Sequence, residues 1–383
     1  MIGLSRSDNS VLSRWWWTVD RWMLLMILAL MVLGLWLAMT ASPAVAEKLK
    51  LDTWHFVKRQ GVFLGLSICA LLVFSMLSTK QVRRVAVIAF PIALILVVAT
   101  LFFGDVAKGA TRQLRFGGIG LQPSEFLKPF FVVVTAWLLS ANLNGVKIPA
   151  KQIATGLYIV VIGLLVLQPD FGQSVLISAI WFAQMALAGL PIAGLIVAGS
   201  IGLLGLGIAY ATVDHVEKRI NAFLFPSGQD TYQIDLARDA FGSGGLLGKG
   251  PGEGVVKVAL PDAHTDFIFA VVGEELGAVA GVMLIFLFAG IVMRGLANLL
   301  QEENPFRLLA AAGLIMQFGV QVLINIGVNV NLLPNKGMTL PFISYGGSSM
   351  LALAIGMGMV LALTRRNRFI QARQDPVGWK AAE

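Results

Sequence analysis

Four acids and a histidine fall within one stretch, where the chain reads Leu260-Pro261-Asp262-Ala263-His264-Thr265-Asp266-Phe267-Ile268-Phe269-Ala270-Val271-Val272-Gly273-Glu274-Glu275-Leu276-Gly277. The stretch joins a glycine-rich polar segment to an apolar run. An acid in or beside a lipid-embedded helix costs roughly 2.5–3.5 kcal/mol on insertion scales, so such acids are normally kept for a function. Pro261 is expected in the first turn of a helix, because proline is favoured there. Asp262 and Asp266, four residues apart, would then share a face, with Asp266 at the mouth of a span. Asp266 is therefore the residue at which chemistry is expected, with His264 as a hydrogen-bonding neighbour. Glu274 lies about 80° around the helix from Asp266 and Glu275 about 180°, so the two glutamates cannot share one role. They read as structural acids that pair with basic residues.

A second cluster runs from Gly109-Ala110-Thr111-Arg112-Gln113-Leu114-Arg115-Phe116 to Leu121-Gln122-Pro123-Ser124-Glu125-Phe126-Leu127-Lys128. Pro123-Ser124-Glu125 reads as a helix start, and Glu125 and Lys128 at i, i+3 can pair where neither could stand alone in lipid. Arg112 and Arg115 suit phosphate, although topology or solvation explains them equally well. The third cluster is Asn325-Ile326-Gly327-Val328 followed by Leu333 to Ser349, rich in Pro, Gly and hydroxyls. It reads as a re-entrant or broken helix, tolerated only where it lines a cavity, with Lys336 as a cation or an interfacial anchor. The run Gly242 to Gly254 permits positive φ and close backbone approach. It is not a P-loop, since Ser243 and Gly250 stand where that motif needs Gly and Ser or Thr.

The elements that position these clusters belong to a membrane. The 383 residues are 57% hydrophobic and 13% charged, far from the quarter charged of a soluble domain. Apolar runs near 23–40, 61–78, 85–103, 124–141, 153–167, 172–188, 191–211, 268–293, 307–328 and 346–364 predict about ten transmembrane helices in an all-α integral membrane protein. Residues 1–22 form an N-terminal segment, about 212–266 the large loop between helices 7 and 8, and 365–383 a tail. Trp15, Trp16, Trp17 and Trp22 suit the membrane interface. The first run is too long for a signal peptide despite Ala44-Val45-Ala46. Arg365, Arg366 and Arg368 directly follow the last span, which places both termini in the cytoplasm and the large loop outside. The net charge of +8 comes from residues flanking the runs, so no nucleic-acid partner is implied. Cys69 alone excludes an intrachain disulfide, and His55, His215 and His264 are too scattered for a histidine-ligated metal.

Taken together, these motifs resemble the SEDS family of bacterial integral membrane proteins, the polymerases of peptidoglycan glycan strands. The resemblance covers nearly the whole chain. It rests on Pro123-Ser124-Glu125 with Lys128, Gln168-Pro169-Asp170-Phe171-Gly172, Leu260 to Phe269, and Ile343-Ser344-Tyr345-Gly346-Gly347-Ser348-Ser349. Lys336-Gly337 and Gly250 to Gly254 are more similar to the cell-division branch than to the elongation branch. Gln113 stands where the family usually has Trp, and Asn335 where it usually has Thr.

The resemblance implies ten helices and lipid II as substrate, a disaccharide-pentapeptide on undecaprenyl pyrophosphate, growing into a lipid-linked glycan. The family's essential acid falls on Asp266, which would be the general base. Arg112, Arg219, Lys257 and Lys336, with His264, become candidates for substrate binding. Glu125, Lys128, Asp262, Glu274, Glu275 and Ser344 become supporting residues. A divalent cation, Mg or Mn, would suit the pyrophosphate, although no metal site is evident from the residues. The implied partners are a class B penicillin-binding protein of the FtsI type and other division proteins, at the septal inner membrane. The alternatives are a lipid II flippase, since intramembrane ions and broken helices also mark transporters, and a polymerase of the elongation branch.

Overall fold

Short polar side chains and prolines start the helices. Asp20 accepts from the Met23 N–H ahead of α2 (Arg21–Lys48), and Ser78 forms a capping box with Gln81 ahead of α4 (Thr79–Phe103). Asn304 caps α12 (Pro305–Asn329), and Pro123 opens α5 (Pro123–Leu143). Each device satisfies or removes N–H groups that a helix start leaves without partners. The computed structural model describes residues 10–107, 110–116, 119–212, 217, 221, 232–334 and 337–365. The other helices are α1 (Val11–Thr18), α3 (His55–Met76), α6 (Ala150–Leu167), α7 (Phe171–Leu187), α8 (Ile192–Thr212), α9 (Tyr232–Gly244), α10 (Val256–Ala259), α11 (Ile268–Ala297) and α13 (Gly347–Leu363).

Seven of these, α2 to α6, α11 and α12, contain stretches long and apolar enough to cross a membrane. Three shorter apolar helices, α7, α13 and the first part of α8, complete a set that matches the ten expected runs one for one. The bundle is organised around α5, on which α4, α6, α7, α12 and α13 pack, while α13 also lies along α3. The expectation of helices alone needs one addition. A three-stranded antiparallel meander, β1 (Asp105–Ala107), β2 (Ala110–Phe116) and β3 (Ile119–Leu121), joins α4 to α5, with Leu114 opposite Leu121.

At 30 residues, α11 would be about 45 Å long, well beyond a hydrocarbon core of about 30 Å. Gly277 resolves the excess, because its φ of 81° and ψ of 176° break the helix there. Residues 278–297 alone then measure about 30 Å. The groups freed by the break bond to the glycine-rich loop. Lys249 and Gly250 N–H donate to the carbonyls of Glu274 and Glu275 at 3.0 and 2.9 Å, and Ala278 and Val279 N–H donate to Gly245 and Leu246 at 2.9 and 3.2 Å.

Such close docking demands glycine. A Cβ on Gly277 would lie 2.3 Å from the Leu246 carbonyl oxygen, and one on Gly248 would lie 2.2 Å from that of Glu275. Gly277→Ala is therefore expected to lower stability by about 1–3 kcal/mol or more, combining overpacking with a strained φ. Gly242→Ala is the control, since a Cβ there meets nothing within 4 Å. Thermal unfolding of the two purified variants checks this, and equal midpoints would refute it.

Candidate active site

The helix after Pro261 begins later than the sequence indicates. Residues 261–267 form turns and α11 starts at Ile268. Asp262 has a φ of 56°, so it and Asp266 do not share a helical face. The reason is local: the Asp262 carbonyl accepts the N–H groups of Thr265 and Phe267 at 3.0 and 3.3 Å and closes a compact turn before any helix forms. That turn holds Asp266 at the head of α11, half-buried.

The turn is sewn to the segment between α12 and α13. Asp266 presents its carbonyl to two amides of α12, with Asn325 Nδ2 and Asn329 Nδ2 each donating at 2.9 Å. The Ser344 hydroxyl donates to the Thr265 carbonyl and accepts from Leu340 N–H at 2.7 Å. Tyr345 N–H donates to the His264 carbonyl at 2.8 Å. The His264 ring packs between Phe56 and Tyr345, at centroid distances of 4.8 and 5.4 Å. Burial pushes the Tyr345 phenol up from its ordinary value, opposed by the charge of Arg59.

The expected re-entrant segment is non-helical over 338–346, with Met338, Leu340, Phe342 and Ile343 buried. It passes so close to α2 that a Cβ on Gly34 would lie 2.1 Å from the Phe342 carbonyl oxygen. A Cβ on Gly337 would lie 3.4 Å from Asp266 Oδ2, so the Asp266 carboxylate rests against the 337 backbone. Lys336, next in sequence, and Arg219 lie outside the described residues.

Glu274, Glu275 and Lys257 form a separate group. Glu274, fully buried, accepts three backbone N–H groups, from Val255 and Val256 at 2.7 Å and Lys257 at 2.9 Å, and so caps α10. Its main partners are amides rather than a basic side chain. Lys257 Nζ pairs with Glu275 and also donates to the carbonyls of Thr40 and Gly252 at 2.9 and 3.0 Å. The substrate-binding candidate Lys257 is thus only 5% exposed and engaged on all three protons.

The third group lies within the bundle. Lys128 Nζ stands 2.9 Å from Glu125 Oε2, and Gln173 Nε2 donates to Glu125 Oε1 at 2.6 Å. Arg112, on β2, donates to the Pro169 carbonyl and lies 3.8 Å from Asp170 Oδ1, with a fifth of its side chain exposed. Burial raises the Asp170 carboxyl above its ordinary value, against the opposing charge of Arg112. Gln168 binds the Val97 carbonyl at 3.0 Å and so ties this turn to α4. Among the described residues no three His, Cys, Asp or Glu side chains gather as a metal cage. Asn329 and Gln173 do not stand out in the sequence, and Asn325 stands out there without a role; the signal available is an amide within an apolar run.

A family model described as "Cell cycle protein", spanning the FtsW, RodA and SpoVE proteins, matches residues 21–369. The chain belongs to this family, the SEDS family. A SEDS relative from Caulobacter vibrioides, named probable peptidoglycan glycosyltransferase FtsW, is 46% identical over 94% of this chain and 93% of its own length. One of the same name from Geobacter metallireducens is 36% identical over 91% and 95%. Among solved structures, the rod shape determining protein RodA of Thermus thermophilus superposes with a TM-score of 0.68 at 26% identity, covering 91% of this chain and 97% of that one. A chain from a study of how a peptidoglycan synthase complex coordinates polymerization and crosslinking superposes with a TM-score of 0.75 at 26% identity, covering 90% and 97%.

Proposed function

We propose that this SEDS protein is the peptidoglycan glycosyltransferase of cell division, polymerising lipid II with Asp266 as general base. The observation that carries the assignment of the base is the placement of Asp266. It is a half-buried carboxylate on a turn whose backbone is bonded to α12 and to the 338–346 segment. The sequence similarity to proteins named FtsW supports the division role over the elongation role.

A sugar hydroxyl is a weak nucleophile, so a carboxylate within hydrogen-bond reach takes its proton as the oxygen attacks the anomeric carbon of the growing strand. The bond from that carbon to the lipid pyrophosphate breaks, and the pyrophosphate leaves with the electron pair. Positive charge must meet the developing anion. Lys336 is the first candidate, because its neighbour Gly337 borders Asp266; Arg112, partly exposed, and Arg219 follow. Lys257 is set aside because Glu275 and two carbonyls engage its ammonium. A Mg or Mn ion would add charge at the pyrophosphate.

The proposed orientation places the 212–266 loop and Asp266 on the outer face, since Arg365, Arg366 and Arg368 follow the last span and positive charge favours the cytoplasmic side. Both termini are then cytoplasmic, at the septal inner membrane. A class B penicillin-binding protein is the proposed partner, in keeping with the synthase complex that contains a similar chain. Purified protein given lipid II with manganese, and separately with chelator, tests the activity. Glycan chains resolved by length are expected with no other glycosyltransferase present. Lipid II translocation without polymer would establish the flippase instead, and equal polymer in chelator would remove the metal from the scheme.

A further inference from the structure

The amide side chains of α12 recur at a spacing that the spanning role of the helix does not require. Gln321, Asn325 and Asn329 are each four residues apart, within about 80° of one another around the helix, and each is 2% exposed or less. A buried amide carries two donors and an acceptor, and in an apolar span these can be met only by other parts of the protein. All three side chains are used: Asn325 and Asn329 on the head of α11, Asn325 and Gln321 on residues 338–339, and Gln321 also on Lys128 of α5.

Asn329 bridges the head of α11. Its Nδ2 donates to the Asp266 carbonyl at 2.9 Å and its Oδ1 accepts from Ala270 N–H at 3.1 Å. Asn325 Nδ2 donates to the Asp266 carbonyl at 2.9 Å and to the Met338 carbonyl at 2.5 Å, joining the base's own residue to the facing segment. Gln321 Nε2 donates to the Thr339 carbonyl at 3.1 Å, while its Oε1 accepts from Lys128 Nζ at 3.4 Å. Thr339 Oγ1 in turn shares a hydrogen bond of 2.8 Å with Ser349 Oγ at the start of α13.

We propose that Gln321, Asn325 and Asn329 are positioning residues. They lock the main chain of Asp266 against residues 338–339 and anchor that junction to the intramembrane Glu125–Lys128 pair. The inference rests on the reading of Asp266 as general base. None of the three amides needs to touch substrate. Their contribution is to the geometry of the carboxylate, where a displacement of about 1 Å costs up to about 100-fold in rate.

Asn325→Leu and Gln321→Met keep approximate size and remove the donors without placing a new charge against the Asp266, Met338 and Thr339 carbonyls. Each is expected to lower the turnover number about 10–100-fold with KM for lipid II within about twofold, the pattern of a loss confined to the transition state. Hydrogen exchange should accelerate at 262–270 and 337–345 and stay unchanged in α4 and α6. Turnover within twofold of the parent for both variants would overturn the inference, as would faster exchange spread evenly over the bundle, which marks a general packing role. Parent protein that makes no polymer would refute the base assignment instead. The exchange pattern would then still decide whether the amides hold the two segments together.

Discussion

Asp266→Asn is expected to abolish glycan polymerisation, by at least about 100-fold, with no loss of folded protein. The change keeps the side chain's size and removes its capacity to take a proton, a capacity worth about 10²–10⁴ in rate for general base catalysis. The fold should survive because the bonds from Asn325 and Asn329 that hold this residue to α12 run to its main-chain carbonyl, which the substitution leaves in place. Polymerisation from lipid II, measured at equal protein level and with thermal midpoints compared, decides the matter. Activity within tenfold of the parent would end the assignment, and the base would then have to be sought elsewhere. An activity loss accompanied by a collapsed midpoint would mean instead that the carboxylate supports the fold.

The membrane spans are legible because each is an apolar run near the length of a bilayer, and composition alone reveals that. The break in α11 is not. No proline marks it; Gly277 leaves the helix because the loop from Gly244 to Gly250 docks there, and that contact joins residues about 30 apart. Pro261 misleads for a related reason. Its helix-starting preference is overridden by the Asp262 turn, whose positive φ is one that aspartate tolerates better than most residues but that the local sequence does not demand. β2 is hidden because Ala110 to Phe116 mixes charged and apolar residues without clean alternation, and its neighbours in the sheet are only three residues long.

For the site, residue type is legible and partnership is not. Lys257 reads as an available cation in the sequence, yet Glu275 stands beside it, an arrangement set by tertiary packing of α10 on α11. The amides of α12 carry a readable signal, their four-residue spacing. Its target, the main chain of Asp266, can be seen only in three dimensions.

Glu125 and Lys128 are paired by spacing alone, and their burial turns that pairing into a large expected effect. Lys128 is fully buried and Glu125 is 3% exposed, with 2.9 Å between charged atoms. Breaking a buried pair from one side leaves a charge in a medium that cannot solvate it, at a cost of about 3–5 kcal/mol. Glu125→Gln would leave the Lys128 ammonium without its paired charge, against neutral acceptors such as the Gln321 oxygen at 3.4 Å, and Lys128→Met would leave the Glu125 carboxylate with the neutral Gln173 amide as its hydrogen-bond donor. Each single change should therefore lower the unfolding midpoint sharply, while the double variant, which buries no charge here, should lose less than either. Thermal unfolding of the three proteins supplies the cycle, because residues in contact show coupling that distant ones do not. A double variant whose loss equals the sum of the two singles would show the charges to be uncoupled. Gln173 and Gln321 would then be their principal partners, and Lys128, linked through Gln321 to Thr339, would belong with the residues that hold the Asp266 junction rather than with Glu125.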